Sequence, residues 1–231
     1  MFRTQFGKFK YLGLLAILSV SFELIANFTA ARLVTFGGVT LSVSIYSFPM
    51  VFLISDILTE VYGYAQARTI LWLSIFSRIL AGAVVYVMLL IPAAPGFTND
   101  SAYQLVLSTG LRIAVAGLIA GFTGDICNNY IIAKMKIWSR GKNLWARFVS
   151  GTFIGEGINS IAFYGIAFSG ILSTEQLVTG MVMATVAKTV WEIVALPITY
   201  PIVKWLKKIE AIDYYDTHTN FNPLIIDAPT D

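Results

Sequence analysis

The feature that most constrains this chain is a series of long apolar runs, each long enough to cross the hydrocarbon core of a bilayer as a helix. Such a helix needs about 20 predominantly apolar residues. A window of about 19 residues predicts six of them. They run approximately over Tyr11–Phe28, Leu41–Val61, Ile70–Ile91, Gly110–Ala133, Phe148–Phe168 and Leu177–Trp205. Because the runs are continuous, they do not match the alternating segments of a membrane β-barrel.

The composition of the 231-residue chain excludes most other classes of protein. Hydrophobic residues make up 57% and charged residues 13%, whereas a soluble domain carries about 25% charged residues. The mean hydropathy of +0.73 also excludes intrinsic disorder. The single Cys127 excludes a disulfide scaffold, and a net charge of +3 does not indicate nucleic-acid binding. The chain therefore belongs in a lipid bilayer.

We predict an all-α, polytopic membrane protein with one bundle of about six transmembrane helices over residues 1–208. Residues 209–231 form a polar cytoplasmic tail, expected to be poorly ordered and to leave His218 solvated. A signal peptide is the rival interpretation of the first run, but that run continues through Glu23 and Asn27 without a cleavage pattern. Residues 92–109 predict a turn followed by a short interfacial segment.

The distribution of basic residues predicts the orientation of the bundle. Most lysines and arginines fall before the first helix, between the second and third, between the fourth and fifth, and after the sixth. These are Arg3, Lys8, Lys10, Arg68, Lys134, Lys136, Arg140, Lys142, Arg147, Lys204, Lys207 and Lys208. The opposite loops carry Arg32, Asp100 and Glu175. By the positive-inside rule, both termini are cytoplasmic.

Polar residues inside the apolar runs are the strongest indication of function. A charged side chain near mid-membrane costs on the order of 2.5–3.5 kcal/mol, so these groups are expected to face one another or a hydrated cavity. Four helices each carry an acid and a second polar residue at a spacing of three or four, which places both on one face. The pairs are Asp56 and Glu60, Asp125 and Asn128, Glu156 and Asn159, and Lys188 and Glu192. Structural ion pairs are the alternative, although acids outnumber cations here.

Proline and glycine residues modify the predicted helices. Pro49 lies inside the second run, and Pro197 and Pro201 lie inside the sixth. Proline removes an internal hydrogen bond, so kinks or unwound stretches are expected there. The glycines of the fourth and fifth runs, among them Gly124 and Gly155, indicate close approach of two helices.

Enzyme signatures are absent from the sequence. It has no HExxH motif, no phosphate-binding Gly-Lys loop and no Gly-x-Ser-x-Gly elbow. We therefore predict a protein that is not an enzyme and has no metal site or cofactor.

Four sequence blocks resemble the bacterial queuosine precursor transporter family, also called the vitamin uptake transporter family. The longest is Ser-Phe-Pro-Met-Val-Phe-Leu-Ile-Ser-Asp-Ile-Leu-Thr-Glu-Val-Tyr-Gly at residues 47–63. The others are Gly-Asp-Ile-Cys-Asn at 124–128 with Lys-Met-Lys at 134–136, Gly-Glu-Gly-Ile-Asn-Ser at 155–160, and Lys-Thr-Val-Trp-Glu at 188–192 with Pro-Ile-Thr-Tyr at 197–200. The resemblance covers about residues 27–204.

This resemblance implies uptake of 7-deazaguanine bases across the bacterial inner membrane. Those bases are 7-cyano-7-deazaguanine, 7-aminomethyl-7-deazaguanine and queuine. It also implies an architecture similar to the six-helix substrate-binding subunits of energy-coupling-factor importers. The family pattern frequently has aspartate at Asn159 and glutamate or glutamine at Asp125, so the charge at these two positions departs from it.

The polar residues suit such a ligand. A carboxylate at Glu156 or Glu192 accepts the ring N–H and exocyclic amine of a guanine-like edge, and Asn128, Asn159 or Lys188 donates to its keto oxygen and ring nitrogen. Asp56 or Asp125 suits an aminomethyl cation, and Phe48 or Trp191 suits stacking. The predicted substrate-binding set is Asn27, Phe48, Asp56, Glu60, Asp125, Asn128, Glu156, Asn159, Lys188, Trp191 and Glu192.

Two other functions remain open on the sequence. One is a proton- or cation-coupled carrier of another small solute, with the acids acting as a relay. The other is a substrate-binding subunit that needs a separate energising complex. The expected partners are a small-molecule substrate and the lipid bilayer, with no nucleic acid. The sequence leaves open whether the chain acts as a monomer or a homodimer.

Overall fold

A computed structural model describes residues 8–30, 32–108 and 110–226 of the chain. This part contains seven helices, a β-hairpin and a short 3-10 helix at Val43–Tyr46. The helices are α1 (Leu12–Thr29), α2 (Phe48–Tyr62), α3 (Tyr64–Leu89), α4 (Asp100–Ser108), α5 (Gly110–Trp138), α6 (Leu144–Ala167) and α7 (Thr174–Glu210), and the hairpin is β1 (Leu33–Phe36) with β2 (Val39–Ser42). The prediction of an all-α membrane protein is confirmed.

The long apolar helices make this a multi-pass membrane protein. Four stretches of the described chain are long and apolar enough to cross a bilayer: Leu12–Thr29, Tyr64–Leu89, Asp100–Trp138 and Thr174–Glu210. Helix α6 has 24 residues and is about 36 Å long, but it carries more polar residues. Helix α2 has 15 residues, about 22 Å, and is almost entirely buried. It packs among α1, α3, α5 and α7.

The predicted helix over Leu41–Val61 is wrong in its first part. Residues 39–42 form β2, which pairs antiparallel with β1, and α2 begins only at Phe48. Gly37 and Gly38 connect the strands with φ values of +57° and +82°, the conformation that a two-residue hairpin turn requires. Pro49 lies in the first turn of α2, where its missing N–H costs nothing. It therefore starts the helix and does not interrupt one.

Of the kinks or unwound stretches predicted at the prolines of the last helix, no unwound stretch is present. Helix α7 continues through Pro197 and Pro201 over 37 residues. Membrane helices tolerate such prolines where neighbouring groups satisfy the freed backbone. The helix begins with a capping box between Ser173 and Gln176 and ends before Ala211, whose φ of +51° is left-handed.

Glycines bring α5 and α6 into backbone contact, as expected. A Cβ atom on Gly124 would lie 2.8 Å from the Cβ of Asn159, and one on Gly155 would lie 2.8 Å from the Cβ of Asn128. Both distances are shorter than real carbon–carbon contacts, so only glycine fits. This close packing places Asn128 and Asn159 directly between the two helices.

The tail is ordered over residues 211–226, contrary to the prediction, and folds back along the bundle. Asp216 is buried and accepts the backbone N–H of Tyr64 at the start of α3. Arg68 donates to the carbonyls of Asn220 and Asn222 at 2.6 and 2.9 Å. These contacts pair a side chain with a backbone group in each case. The pattern of side chains in the sequence does not predict such contacts. His218 is exposed, as expected, and residues 227–231 lie outside the described part.

The bundle therefore has two distinguishable ends. We call the end that carries β1 and β2 the hairpin end. The end where α2 finishes, α3 begins and residues 211–226 pack is the tail end. The predicted interfacial segment forms α4, over Asp100–Ser108, at the hairpin end. Arg3 and Thr109 lie outside the described residues.

Candidate functional site

Charged and amide side chains, most of them buried, form two separate clusters along the bundle. The central cluster lies between the hairpin end and the middle of the bundle, and the tail-end cluster lies where residues 211–226 pack. The central cluster consists of Glu23, Asp56, Arg78, Asp125, Asn128, Glu156, Asn159, Lys188 and Glu192. The tail-end cluster consists of Glu60, Lys136, Arg147, Lys207 and Asp213.

Lys188 organises the hairpin side of the central cluster. Its Nζ donates to Glu156 Oε2 at 2.5 Å and to Asn159 Oδ1 at 3.4 Å. The same nitrogen lies 4.6 Å from the centre of the Phe48 ring, within the range of a cation–π interaction. Helices α2, α6 and α7 therefore meet at one lysine, which holds an acid, an amide and an aromatic ring together.

Two further contacts bring α1, α2, α3 and α5 into the central cluster. Asn128 Nδ2 donates to Asp56 Oδ1 at 2.5 Å. Arg78 Nη1 lies 3.0 Å from Glu23 Oε2. The guanidinium passes close to Gly121, where a Cβ atom would lie 3.0 Å from Arg78 Nη1. Glycine at this position makes room for the arginine.

Several buried polar atoms of this cluster have no hydrogen-bond partner in the described part of the chain. Among them are Asp56 Oδ2, Asn128 Oδ1, Glu156 Oε1, Asn159 Nδ2 and Glu192 Oε1, and the neighbouring Ser160 Oγ also lacks a partner. A buried polar group left without a partner costs about 1–3 kcal/mol. Both donors and acceptors occur in this set, so the cluster can bind a ligand that presents both kinds of group.

A small cavity opens beside Lys188 toward the hairpin end. Its volume is about 20 Å³, close to the space that one water molecule needs. It is lined by Ser42, Ser44, Ile45, Phe48, Asn159, Ser160, Phe163, Tyr164, Ala184 and Lys188. A flat heterocycle is larger than this volume, so binding requires one wall to move. The segment from β2 through the 3-10 helix is the wall nearest the hairpin end.

Both carboxylates of the tail-end cluster are paired with cations, in contrast to several acids of the central cluster. Glu60 accepts from Arg147 Nη2 at 2.9 Å and from Lys207 Nζ at 2.6 Å. Lys136 Nζ lies 3.6 Å from the Glu60 carboxylate and donates to its backbone carbonyl at 2.6 Å. Asp213 lies 2.7 Å from Lys136 and 2.8 Å from Lys207. Both carboxylates therefore have two or more cationic partners.

The two aspartates of the tail have opposite pKa shifts. Partial burial by itself raises the pKa of Asp213, but hydrogen bonds from Lys136 and Lys207 outweigh it and bring the pKa below its ordinary value. Burial raises the pKa of Asp216 above its ordinary value, against hydrogen bonds from Thr219 and Tyr64. Asp213 is therefore held in its charged form by the lysines.

The structure brings most of the predicted site residues together. Phe48, Asn159 and Lys188 line the cavity, and Asp56, Asp125, Asn128, Glu156 and Glu192 are buried in the same cluster. Glu60 is instead held in the tail-end cluster. Trp191 is 42% exposed and does not line the cavity, and Asn27 on α1 is partly buried and also lies outside its lining.

Sequence reasoning missed some residues of this site. Ser42 and Ser44 line the cavity because the predicted second span starts with a hairpin and a 3-10 helix. Ser160 is the last residue of the Gly-Glu-Gly-Ile-Asn-Ser block at 155–160, next to Asn159, and its place in that block could have indicated it. Glu23 and Arg78 are charged residues inside two of the apolar runs. Their contact depends on how α1 packs against α3, which the sequence does not indicate.

Comparisons with known proteins show which family the chain resembles. Residues 42–202 match the family described as "Putative vitamin uptake transporter". A protein of Bacillus subtilis named "Probable queuosine precursor transporter" is 23% identical over 80% of this chain and 81% of its own length. The "Queuosine precursor transporter" of Escherichia coli is 22% identical over 71% of this chain and 72% of its own length.

A third relative, the "Probable queuosine precursor transporter" of Haemophilus influenzae, is 24% identical over 53% of this chain and 49% of its own length. No solved structure matches the chain significantly. The matched residues include α2, α5, α6 and most of α7, which carry nearly all of the central cluster. The chain is therefore a multi-pass membrane transporter that belongs to the vitamin uptake transporter family.

Proposed function

We propose that this transporter imports queuosine precursors, the 7-deazaguanine bases, across the bacterial inner membrane. The observation that carries the proposal is the array of Lys188, Glu156 and Asn159 beside Phe48 at a buried cavity. The names of the relatives support the same substrate class. Both termini are cytoplasmic in this proposal, because the tail end carries most of the basic residues.

The proposed pose follows from the partners that the site residues lack. Glu156 Oε1 is free to accept the ring N–H and the exocyclic amine of the guanine-like edge, while Oε2 stays on Lys188. Asn159 Nδ2 and Ser160 Oγ lack partners and donate to the keto oxygen and ring nitrogen. Phe48 offers a face for stacking. A base without this pattern of donors and acceptors leaves the site's groups unpaired and is rejected.

Rescue of queuosine in tRNA tests this function. A bacterial host that lacks both synthesis and uptake of the precursors expresses this chain and receives 7-cyano-7-deazaguanine, 7-aminomethyl-7-deazaguanine or queuine. We expect queuosine to appear with at least one base and to be lost in Glu156→Gln. The matched control is Glu175→Gln, which makes the same change at an exposed acid of α7.

The same experiment separates this function from its rivals. Rescue that is unchanged in Glu156→Gln would contradict the binding role of Glu156, and absence of rescue by every base would contradict the substrate class. Uptake into liposomes that contain only this purified chain excludes a subunit that needs a separate energising complex. Absence of uptake there, with rescue in cells, would favour that subunit.

A further inference from the structure

The central cluster contains more acids than cations. Its acids are Glu23, Asp56, Asp125, Glu156 and Glu192, and its cations are Arg78 and Lys188. Two of the acids form ion pairs, Glu23 with Arg78 and Glu156 with Lys188. Within the described part of the chain, the other three acids form no ion pair. All three are buried, so water does not compensate their charge as it does at a surface.

The unpaired atoms on the deep side of the cluster are acceptors. Asp56 Oδ2, Asn128 Oδ1 and Glu192 Oε1 lack a hydrogen-bond donor, and the three side chains are at most 3% exposed. The unpaired amide oxygen of Asn128 belongs to the same side chain whose nitrogen donates to Asp56. A group that satisfies this set must donate several hydrogen bonds and carry positive charge. An alkylammonium has three donors and one positive charge.

The chain positions relate the deep acceptors to the cavity. Lys188 lines the cavity, and Glu192 lies one helical turn further along α7 toward the tail end, on the same face. Glu156 is likewise one turn below Asn159 on α6. Asp56, Asp125, Glu156 and Glu192 are all buried in this part of the bundle, so several carboxyl groups lie together beneath the cavity.

We propose that the site selects a substrate with a protonated amine, so that 7-aminomethyl-7-deazaguanine is preferred over the neutral 7-cyano base. This inference rests on the proposed function. The heterocycle binds Glu156, Asn159 and Ser160, and the ammonium extends toward Asp56 and Glu192. The preference comes from charge, because the two bases share the same guanine-like edge.

Competition uptake into proteoliposomes tests this preference. Labelled 7-aminomethyl-7-deazaguanine is competed with either unlabelled base at pH 7, where the alkylammonium is charged. We expect the aminomethyl base to compete at about tenfold lower concentration than the cyano base, the effect of one charge-assisted hydrogen bond. Glu192→Gln should shrink this ratio at least threefold, whereas the exposed control Glu175→Gln should retain it.

The outcomes distinguish the inference from the function beneath it. If neither base is taken up, the proposed function fails. If both bases compete equally in the wild-type protein, the function stands and the charge preference is wrong. Glu192→Gln could instead change the competing concentrations of both bases by the same factor, with uptake of both depending equally on a pH gradient. The acids would then carry protons and would not distinguish the two bases, and the charge preference would be wrong. Size-exclusion profiles in detergent establish that each variant is folded.

The packed tail carries a second, independent inference. Asp213 bridges Lys136 of α5 and Lys207 of α7, and Asp216 caps the start of α3. Trp72 Nε1 donates to the Pro223 carbonyl at 2.9 Å. The ring of Tyr214 packs on Gly63, where a Cβ atom would lie only 2.4 Å from it. The tail thus connects α3, α5 and α7 at one end of the bundle.

The geometry points to residues 213–226 as a gate at the tail end, which must detach before substrate leaves the central cluster on that side. Hydrogen bonds, ion pairs and contacts of the Phe221 ring with Tyr64 and Tyr130 hold the segment. The segment contains no helix or strand of its own, so it can detach without unfolding the helices. The helix residues of the tail-end cluster, Glu60, Lys136, Arg147 and Lys207, stay in place when the segment detaches, and only Asp213 leaves with it.

Hydrogen–deuterium exchange on the full-length protein tests the gate. Asp216→Ala should raise exchange at the Tyr64 amide and in residues 213–226 by about fivefold, the shift expected from loss of one helix cap, and should raise the rate of substrate exchange across liposomes. His218→Ala, an exposed change in the same segment, is the control. A tail that exchanges faster in Asp216→Ala while transport keeps the wild-type rate would show that the tail is not a gate.

Discussion

Two acids one turn apart on α2 have opposite surroundings. Glu60 contacts three cations, and each of its two carboxylate oxygens forms an ion pair with at least one of them. Asp56 contacts an amide through one oxygen and leaves the other without a partner. Both side chains are fully buried. Burial of an acid therefore does not by itself indicate a functional group. An acid whose oxygens all have partners, which we call saturated, stabilises the bundle, whereas an unsaturated acid is available to a ligand.

Replacement of the saturated acid, Glu60, should change stability more than any of the other substitutions. Glu60→Gln leaves Lys136 and Arg147 buried without the charge that they face. Removal of one partner from a buried ion pair costs about 3–5 kcal/mol. We expect the free energy of unfolding in detergent to fall by that amount, with little change for the exposed control Glu175→Gln. A Glu60→Gln protein as stable as the wild type would show that the tail-end cluster is not structural.

Packing behind the central cluster provides the next test. In Gly155→Ala the new Cβ meets Asn128 and the Gly124 carbonyl at 2.8 Å, which should cost about 1–3 kcal/mol and displace Asn128 from Asp56. Gly157→Ala is the control on the same helix, because its Cβ meets only Thr185 at 3.9 Å. Thermal unfolding of both variants measures the difference. Equal melting temperatures would mean that α5 and α6 are not in such close contact.

Loss of the unsaturated acid should change uptake more than stability. Asp56→Asn keeps the hydrogen bond from Asn128 and breaks no ion pair, so we expect its free energy of unfolding to stay within about 1 kcal/mol of the wild type. Uptake of the deazaguanine should fall about tenfold. Unfolding and uptake measured on the same preparation check both halves. Destabilisation as large as that of Glu60→Gln would remove the distinction between the two clusters.

The smallest effect concerns the tail at low pH. The lysines lower the pKa of Asp213, so its contribution to tail binding is present above the ordinary pKa of an aspartate and is lost as the pH falls through the lowered value. Because Asp213 is partly exposed, the contribution is small. Asp216 has a raised pKa and acts in the opposite direction. The difference in tail exchange between wild type and Asp213→Asn, followed from pH 6 to pH 3, isolates Asp213 and should shrink toward pH 3.

The sequence predicts the apolar helices well because a membrane span needs only length and low charge. It mispredicts the start of the second span because Val39, Leu41 and Val43 suit a strand as well as a helix, and only the Gly37–Gly38 turn indicates the hairpin. It also treats residues 211–226 as disordered, because their contacts use backbone carbonyls and the start of α3. Glu60 rather than Asp56 contacts cations because Lys136 of α5, Arg147 of α6 and Lys207 of α7 pack beside it. The spacing of residues within α2 does not predict such contacts between helices.

Direct binding to a double variant tests whether the central cluster binds the base. Glu156→Gln combined with Lys188→Met removes both partners of one ion pair at once, so neither partner is left buried without the other and the fold is expected to persist. Calorimetry with 7-aminomethyl-7-deazaguanine on purified protein should show binding to the wild type and to the Glu175→Gln control, and at least a hundredfold weaker binding to the double variant. Equal affinity for the folded double variant would contradict the account.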